Sequence, residues 1–234
     1  MKILNLYAGI GGNRKFWGGE HHITAIEYDE KIAKIYKENF PEDEVIVADA
    51  HQYLLEHFRE YDFIWASPPC PTHSKVRKTL ALKKKKDGTL FEQNKPVYPD
   101  MRLYEEILFL QGYFESYFCV ENVIPWYDPL IEPIKLGRHC FWANFEIPNK
   151  KFEPRGNFDN INELANKLGY DISNWHNVEK RVLLRNCVEP EVGLYILQCL
   201  ERKIKNKEDI KEIPIFEGTL QQLDLLCDLK KEDD

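Results

Sequence analysis

One cysteine of this sequence stands in a setting suited to nucleophilic chemistry. Cys70 lies in the string SPPCPTHS, residues 67–74, where prolines on both sides restrict the backbone. A loop fixed in this way displays the thiol at the edge of the fold rather than in its core. A free thiol has a pKa of about 8.5 and needs nearby positive charge to react well. Lys75, Arg77 and Lys78 follow closely and are expected to help supply it.

A carboxylate and an amide, Glu121 and Asn122, stand together in the string VENV. They follow an apolar run, residues 117–120, that is typical of a buried strand, and Cys70 follows a similar run at 63–66. In one parallel sheet, the carboxyl ends of the two strands would bring these groups side by side. The sequence therefore predicts a nucleophile and an acid on neighbouring strand ends.

A glycine-rich turn, AGIGGN, follows the first apolar run at residues 3–7 and contains Gly9, Gly11 and Gly12. Glycines adopt positive φ angles and let a ligand approach main-chain N–H groups. The turn is G-x-G-G with no Lys-Ser or Lys-Thr after it, which argues against a nucleoside triphosphate and against NAD. A cofactor loop is predicted, with a purely structural turn as the alternative.

Two acidic residues end the next two apolar runs. Glu27 closes residues 23–27, and Asp49 follows residues 45–48. A carboxylate at the end of a second strand is placed to accept hydrogen bonds from ribose hydroxyls. With the glycine turn, the set indicates an adenosine-bearing cofactor without a polyphosphate. Solvated charges at strand ends are the alternative for either residue alone.

An α/β scaffold is needed to position these groups. Five apolar runs alternate with helical patterns at 29–39 and 101–114, which predicts βαβ units and a mostly parallel sheet. Residues 137–147 read as a further strand, 148–180 as polar and irregular, and 189–202 as a core helix.

The last part of the chain is predicted to leave the body of the fold. Residues 203–212 read as a charged linker, and after them leucines recur every three residues from 220 to 229. This spacing predicts an amphipathic helix docked on the body, with a partner-binding helix as the alternative.

Charge and composition exclude several classes of protein. With 43% hydrophobic and 30% charged residues, wholesale disorder is not expected. No apolar run approaches the roughly 18 residues that span a bilayer, and the N-terminus lacks signal-peptide features, so a cytoplasmic location is expected. The six cysteines show no zinc-like spacing, so no metal is expected, and each except Cys70 is expected to be buried.

The acidic average hides one basic segment. The net charge of −7 argues against a general nucleic-acid-binding surface. Residues 71–100 nevertheless carry eight Lys and Arg against three Asp and Glu, directly after the predicted nucleophile. Phosphate contact and a solvated flexible stretch are the two interpretations.

Six strings give the chain a family resemblance. They are, in order, LNLYAGIGG (4–12), AIEYD (25–29), VADA (47–50), SPPCPTHS (67–74), VENV (120–123) and RNCVEP (185–190). On these strings the chain resembles the DNA (cytosine-5)-methyltransferase family. The resemblance implies a Rossmann-like methyltransferase fold, helices on both faces of the sheet and a small C-terminal lobe. It implies a catalytic domain at 1–143, a short target-recognition-like region at 144–184, a returning helix at 185–203 and a tail at 204–234.

The resemblance also implies that S-adenosylmethionine is the cofactor and S-adenosylhomocysteine the product. Glu27 would hold the ribose, Tyr28 would pack on the adenine and Asp49 would bind its amino group. The other residues implied in this site are Tyr7, Ala8, Gly9, Gly11, Gly12, Pro69 and Asn186.

For catalysis, the resemblance implies that Cys70 attacks C6 of a cytosine flipped out of its helix, while Glu121 hydrogen-bonds N3. Asn122 would brace the loop. The family's basic Q-x-R-x-R string is missing, and Arg138 in GRHCFW is the expected substitute, with a surface arginine as the alternative.

Methylation of cytosine C5 in double-stranded DNA is therefore the predicted function. Cytosine-5 methylation of RNA (tRNA) and a weakly catalytic nucleic-acid-binding subunit are the alternatives; the oligomeric state and a partner that supplies specificity stay open. The loop after Cys70 is expected to close on nucleic acid and to be mobile without it. The expected contacts are Ser74, Lys75, Arg77, Lys78, Lys83, Lys84, Lys85 and Lys86.

Overall fold

A seven-stranded sheet forms the centre of the computed structural model, which describes residues 1–75, 82–84, 90–92, 98–156 and 159–211. Its strands are β1 (Lys2–Leu6), β2 (His22–Glu27), β3 (Glu44–Val47), β4 (Phe63–Ala66), β7 (Tyr117–Val123), β8 (Ile134–Leu136) and β9 (His139–Ala143). A separate antiparallel pair joins β5 (Leu82–Lys84) to β6 (Leu90–Glu92).

The strand order is β3-β2-β1-β4-β7-β9-β8. The first five strands in this order pair in parallel, whereas β9 pairs antiparallel with both β7 and β8. The predicted α/β fold with a mostly parallel sheet is confirmed. Strand β7 runs past the predicted end at residue 120, because Glu121, Asn122 and Val123 pair with β9.

Helices cover both faces of the sheet. Those within the described residues are α1 (Glu30–Asn39), α2 (Ala50–His57), α3 (Arg102–Tyr113), α4 (Ile161–Leu168), α5 (Lys180–Asn186) and α6 (Pro190–Lys211), and a 3-10 turn follows α2 (Phe58–Glu60). Alternate residues of each central strand point to opposite faces, so that neighbours such as Phe63 and Ile64 enter different cores.

One core lies beneath α6 and the other beneath α2 and α3. In the first, Ile196 and Leu200 pack with Ile3 and Trp65. In the second, the α2 and α3 side chains pack on the opposite face with Leu4 and its neighbours. The apolar faces predicted for the helices at 101–114 and 189–202 are all buried. These predictions are confirmed.

Two segments differ from the sequence-based expectation. Helix α4 lies inside the stretch predicted to be irregular; Asn160 caps its start, and Gly169, in the left-handed conformation, ends it. Helix α6 continues through Lys211 across most of the predicted linker. The leucine-rich segment from 220 to 229 lies outside the described residues.

A smaller core lies at the carboxyl side of the sheet. Leu164, Leu168 and Trp175 pack there against Leu184 and Ile10, so the region after β9 packs against the loop that follows β1. Four of the described cysteines are buried, as expected, and Cys70 is partly exposed. Among the residues described, no helix has the length and apolar character needed to cross a membrane.

Candidate active site

The predicted loops meet at the point where the strand order reverses. Strands β1 and β4 are neighbours, so the glycine turn after β1 and the cysteine loop after β4 leave the same edge of the sheet side by side. In doubly wound sheets this switch point forms a crevice in which ligands bind. Residue Ala66 pairs with Val120, which places Glu121 level with the start of the cysteine loop.

The glycine turn is tightly packed on one side and open on the other. Tyr7, Gly9 and Gly11 all have positive φ. A Cβ at Gly9 would meet nothing within 4 Å, whereas a Cβ at Gly12 would overlap Cys187 Sγ and lie 2.5 Å from the Val188 carbonyl oxygen. The turn therefore needs glycine for close packing at one position and leaves free space at another.

Two carboxylates stand beside this space. Glu27 Oε2 accepts a hydrogen bond from the Gly9 N–H at 2.9 Å, and Oε1 accepts one from the Asp29 N–H at 3.0 Å. Each oxygen keeps a second lone pair for a ligand hydroxyl. Asp49 is exposed and caps α2 by accepting from His51 and Gln52. The open turn and the two carboxylates fit the adenosine-bearing cofactor that the sequence predicts.

The other predicted cofactor residues differ in exposure. Tyr28 is 78% exposed, Pro69 and Asn186 are exposed, and Ala8 is buried with its N–H bonded to the Ile26 carbonyl. Asn186 ends α5, directly before the segment that packs on Gly12.

Tyr7 belongs to a buried group that the sequence did not predict. Its hydroxyl donates to Glu106 Oε1, to which His51 Nδ1 also lies at 3.0 Å. Burial raises the pKa of Tyr7, and the Glu106 charge adds to this effect. This group links the turn after β1 to α2 and α3. Its three residues lie far apart in sequence, so no short motif contains them.

Backbone and side-chain hydrogen bonds hold the cysteine loop in place. The Asn122 amide donates to the Pro68 carbonyl at 2.9 Å, the contact through which its predicted bracing would act. The Cys70 carbonyl accepts from His73 and Ser74 N–H groups at 3.0 and 3.1 Å. Trp126 donates to the Thr72 carbonyl from the other side.

Burial and two nearby charges set the electrostatic surroundings of Cys70. Burial, followed by the Glu121 charge, raises the pKa of the Cys70 thiol, and Arg138 counteracts them in part. The positive charge expected from Lys75, Arg77 and Lys78 stays a prediction, because Arg77 and Lys78 lie outside the described residues. The Glu121 carboxylate is thus one of the groups that make the thiol harder to ionise in the free protein.

Glu121 has a histidine partner. Its Oε1 accepts a hydrogen bond from His139 Nδ1, and both side chains are buried, at 6% and 3% exposure. His139 pairs with Val123 across the β7–β9 ladder, so it lies diagonally beside Glu121 on the same face. Burial favours a neutral His139, but the charge and hydrogen bond of Glu121 raise its pKa.

A second carboxylate continues the chain of contacts. Glu189 Oε2 lies 3.3 Å from His139 Nε2, while Oε1 lies 3.0 Å from Arg138 Nε and 2.6 Å from Arg155 Nε. Burial alone would raise the pKa of Glu189, but the contact with His139 and the two arginine charges lower it to about 2. Glu121, His139, Glu189, Arg138 and Arg155 form what we call the Glu121 network.

Arg138, the expected substitute for the basic string, lies in this network. Its guanidinium donates to the Arg185 carbonyl at 2.7 Å and the Cys187 carbonyl at 3.3 Å, besides the contact with Glu189. Arg155 donates to the same carbonyl groups and to that of Leu184. The sequence did not single out His139, Arg155 or Glu189, although His139 and Glu189 lie in the quoted strings GRHCFW and RNCVEP.

The structure covers the predicted nucleic-acid contacts only in part. Ser74 forms an isolated bridge with Pro125, and Lys75 is exposed. Lys83 and Lys84 lie in β5, although that segment was predicted without regular structure. Arg77, Lys78, Lys85 and Lys86 lie outside the described residues.

The chain was compared with known proteins. It is 33% identical over 86 residues to a tRNA (cytosine(38)-C(5))-methyltransferase of Spodoptera frugiperda, which is 34% of this chain and 26% of that protein. It is 30% identical over 82 residues to the Mus musculus protein of the same name, or 32% of this chain and 20% of the relative. The chain thus matches about a quarter or less of the length of these relatives.

A solved structure and a family model complete the comparison. A crystal structure of mutant DNMT2 from Spodoptera frugiperda matches with 27% identity and a TM-score of 0.33, over 52% of this chain and 35% of that chain. Residues 1–97, which contain the glycine turn and the cysteine loop, match the family model described as C-5 cytosine-specific DNA methylase. The predicted resemblance is confirmed there: residues 1–97 match this family, and they include four of the six strings on which the resemblance was drawn.

Proposed function

We propose that this chain transfers a methyl group from S-adenosylmethionine to C5 of cytosine in a nucleic acid, with Cys70 as the nucleophile. The observation that carries the proposal is the Cys70 thiol beside the Glu121 carboxylate, at the sheet edge that also carries the open glycine turn. Neither a core cysteine nor a structural turn requires that arrangement.

The chemistry needs both side chains. C5 of cytosine is a poor nucleophile, so the Cys70 thiol first loses its proton to water and the thiolate bonds to C6. The C5–C6 π electrons then form a C4–C5 double bond, and the C4–N3 π pair moves to N3. Glu121 gives a proton to N3 as its own O–H bond breaks, leaving C5 electron-rich. S-adenosylmethionine, when bound, supplies an electrophilic methyl group at this stage.

Glu121 also affects how Cys70 becomes reactive. Its charge is one cause of the raised pKa of the thiol in the free protein. When Glu121 has taken up a proton and donates it in a hydrogen bond to N3 of the base, its negative charge no longer faces the sulfur, so thiolate formation costs less. Activation of the nucleophile is thereby coupled to the arrival of the correct base.

Two polymers are candidate substrates. The family description names DNA, the polymer that the sequence predicted, whereas the relatives are named as tRNA methyltransferases. The relatives support the alternative, so we place tRNA first and double-stranded DNA second. Labelled methyl transfer to each polymer, followed by bisulfite sequencing, would identify the substrate.

A mechanism-based trap tests the proposal. With 5-fluorocytosine at the target, the C5 substituent cannot leave as a proton, so enzyme and nucleic acid should stay joined on denaturing gels. Cys70→Ala should abolish adduct and turnover while S-adenosylhomocysteine still binds in calorimetry. Glu121→Gln should slow turnover on the order of 10²-fold.

The matched control is Cys199→Ala, since Cys199 is a buried thiol within α6, away from the cysteine loop. This variant should still form the adduct. If Cys70→Ala methylates C5, or if the folded protein fails to bind the cofactor, the proposed function is wrong.

A further inference from the structure

The Glu121 network contains a buried histidine between two carboxylates. His139 Nδ1 is hydrogen-bonded to Glu121, and Nε2 lies 3.3 Å from Glu189 Oε2 without a hydrogen bond to it. A neutral imidazole carries one N–H, whereas the protonated ring carries a positive charge and an N–H on each nitrogen. The charges of the two neighbouring carboxylates therefore favour the protonated ring.

The charges around His139 come from several elements. Glu121 belongs to β7, and Arg138 directly precedes His139, the first residue of β9. Glu189 precedes α6, and Arg155 reaches Glu189 from the loop before α4. The Glu121 charge also acts on Cys70, on the loop after β4. Glu121 is thus the group through which the histidine meets the nucleophile.

We propose that His139 is a positioning residue of the reaction, which fixes the Glu121 carboxylate and shares one proton with it. The inference rests on the proposed function for its role in turnover. The shared proton starts on His139 Nδ1, passes to the Glu121 carboxylate as the N–H bond breaks, and passes from Glu121 to N3 as the new O–H bond breaks, which leaves His139 neutral. When N3 releases this proton, it returns through Glu121 to the Nδ1 lone pair, so no external acid is needed.

Glu189 and its arginines fix the other side of the ring. Because Oε1 of Glu189 already accepts from two guanidiniums, its Oε2 is held in place near His139 Nε2. The anchored Glu189 therefore limits where the imidazole can lie, and the imidazole in turn orients Glu121.

An NMR titration tests the shared proton without relying on turnover. In the full-length wild type, the His139 imidazole should titrate above its ordinary value, since Glu121 raises its pKa. In Glu121→Gln the titration should move to lower pH, because the largest raising effect is gone. An unchanged His139 titration in Glu121→Gln would overturn the proposal.

A pH–rate profile tests the role in turnover. His139→Asn keeps an N–H donor near the place of Nδ1 but cannot exchange a proton, so single-turnover methylation should slow on the order of tenfold or more and lose one ionisation. His139→Ala should slow further, with cofactor affinity retained in both variants. The matched control is His57→Asn, because His57 Nδ1 contacts Glu60 at 2.8 Å on the surface, outside the network; its profile should equal that of the wild type.

The two proposals fail in different ways. A wild-type profile in His139→Asn would show that the histidine has only a packing role. A wild type that methylates no cytosine substrate would refute the proposed function, while the NMR titration would still decide whether Glu121 and His139 share a proton.

Discussion

Replacing Glu189 by glutamine removes the charge on which three cationic side chains depend. The carboxylate lies within 3.3 Å of His139, Arg138 and Arg155. Its pKa falls from 4.5 to about 2 in the folded protein. At about 1.4 kcal/mol per unit, this shift corresponds to roughly 3 kcal/mol of stability. Glu189→Gln should therefore lower Tm by about 6–12 °C for a chain of this size.

The shifted pKa values of Glu189 and His139 determine how the free energy of unfolding changes with pH. A carboxyl group with a lowered pKa stabilises the fold fully above its ordinary value of 4.5, and this contribution is lost as pH falls towards about 2. His139 has the opposite sign: its contribution is complete below the ordinary 6.5 and is lost as pH rises through its raised pKa. Between pH 4.5 and pH 6.5, both Glu189 and His139 therefore stabilise the fold.

Urea unfolding of wild type and Glu189→Gln would test this reasoning. The difference in unfolding free energy should be roughly 3 kcal/mol at about pH 6 and should shrink to about 2 kcal/mol at about pH 3.5. Glu191→Gln, an exposed position two residues later in α6, is the matched control and should change stability little. Equal stabilities of wild type and Glu189→Gln at both pH values would refute the electrostatic account of the network.

Two further changes probe the loops. Gly12→Ala should cost about 1–3 kcal/mol and weaken S-adenosylhomocysteine binding, because the new Cβ overlaps Cys187, whereas Gly19→Ala, which meets nothing within 4 Å, should do neither; thermal unfolding and calorimetry would measure both, and a stable Gly12→Ala would contradict the close packing. Replacing Lys83, Lys84, Lys85 and Lys86 by glutamine should weaken nucleic-acid binding across all sequences and flatten its salt dependence without changing cofactor affinity. Affinities at several salt concentrations would distinguish this from a solvated spacer, which would show no change.

Features set by local residue types could be predicted from the sequence. The glycine turn and the proline-flanked cysteine constrain their own backbone, so their positions after β1 and β4 followed from the order of apolar runs. Helix α6 followed from the helical spacing of its apolar residues between Val192 and Leu200.

Features set by residues distant in sequence could not be predicted in this way. Helix α4 is a different case: it was missed although Ile161, Leu164, Ala165 and Leu168 recur at helical spacing and pack against Ile10 and Leu184 of other segments. Helix α6 continues past Arg202 through charged residues that carry no apolar period. His139 meets Glu121 only through the antiparallel register of β9 with β7, which no local pattern encodes.

The packing of Gly12 against Cys187 and Val188, and of Gly193 against Asn13, bears on how the chain folds during synthesis. The glycine turn, which is proposed to bind the cofactor, is synthesised early. The residues that pack against Gly12 are synthesised some 175 positions later in the chain. Until α6 emerges, Ile3, Phe63 and Trp65 lack the part of their cover that Ile196 and Leu200 provide on that face of the sheet. Contacts so far apart in sequence make folding slow and leave an apolar surface for chaperones to shield. Cofactor binding by a nascent chain would therefore report that α6 has docked.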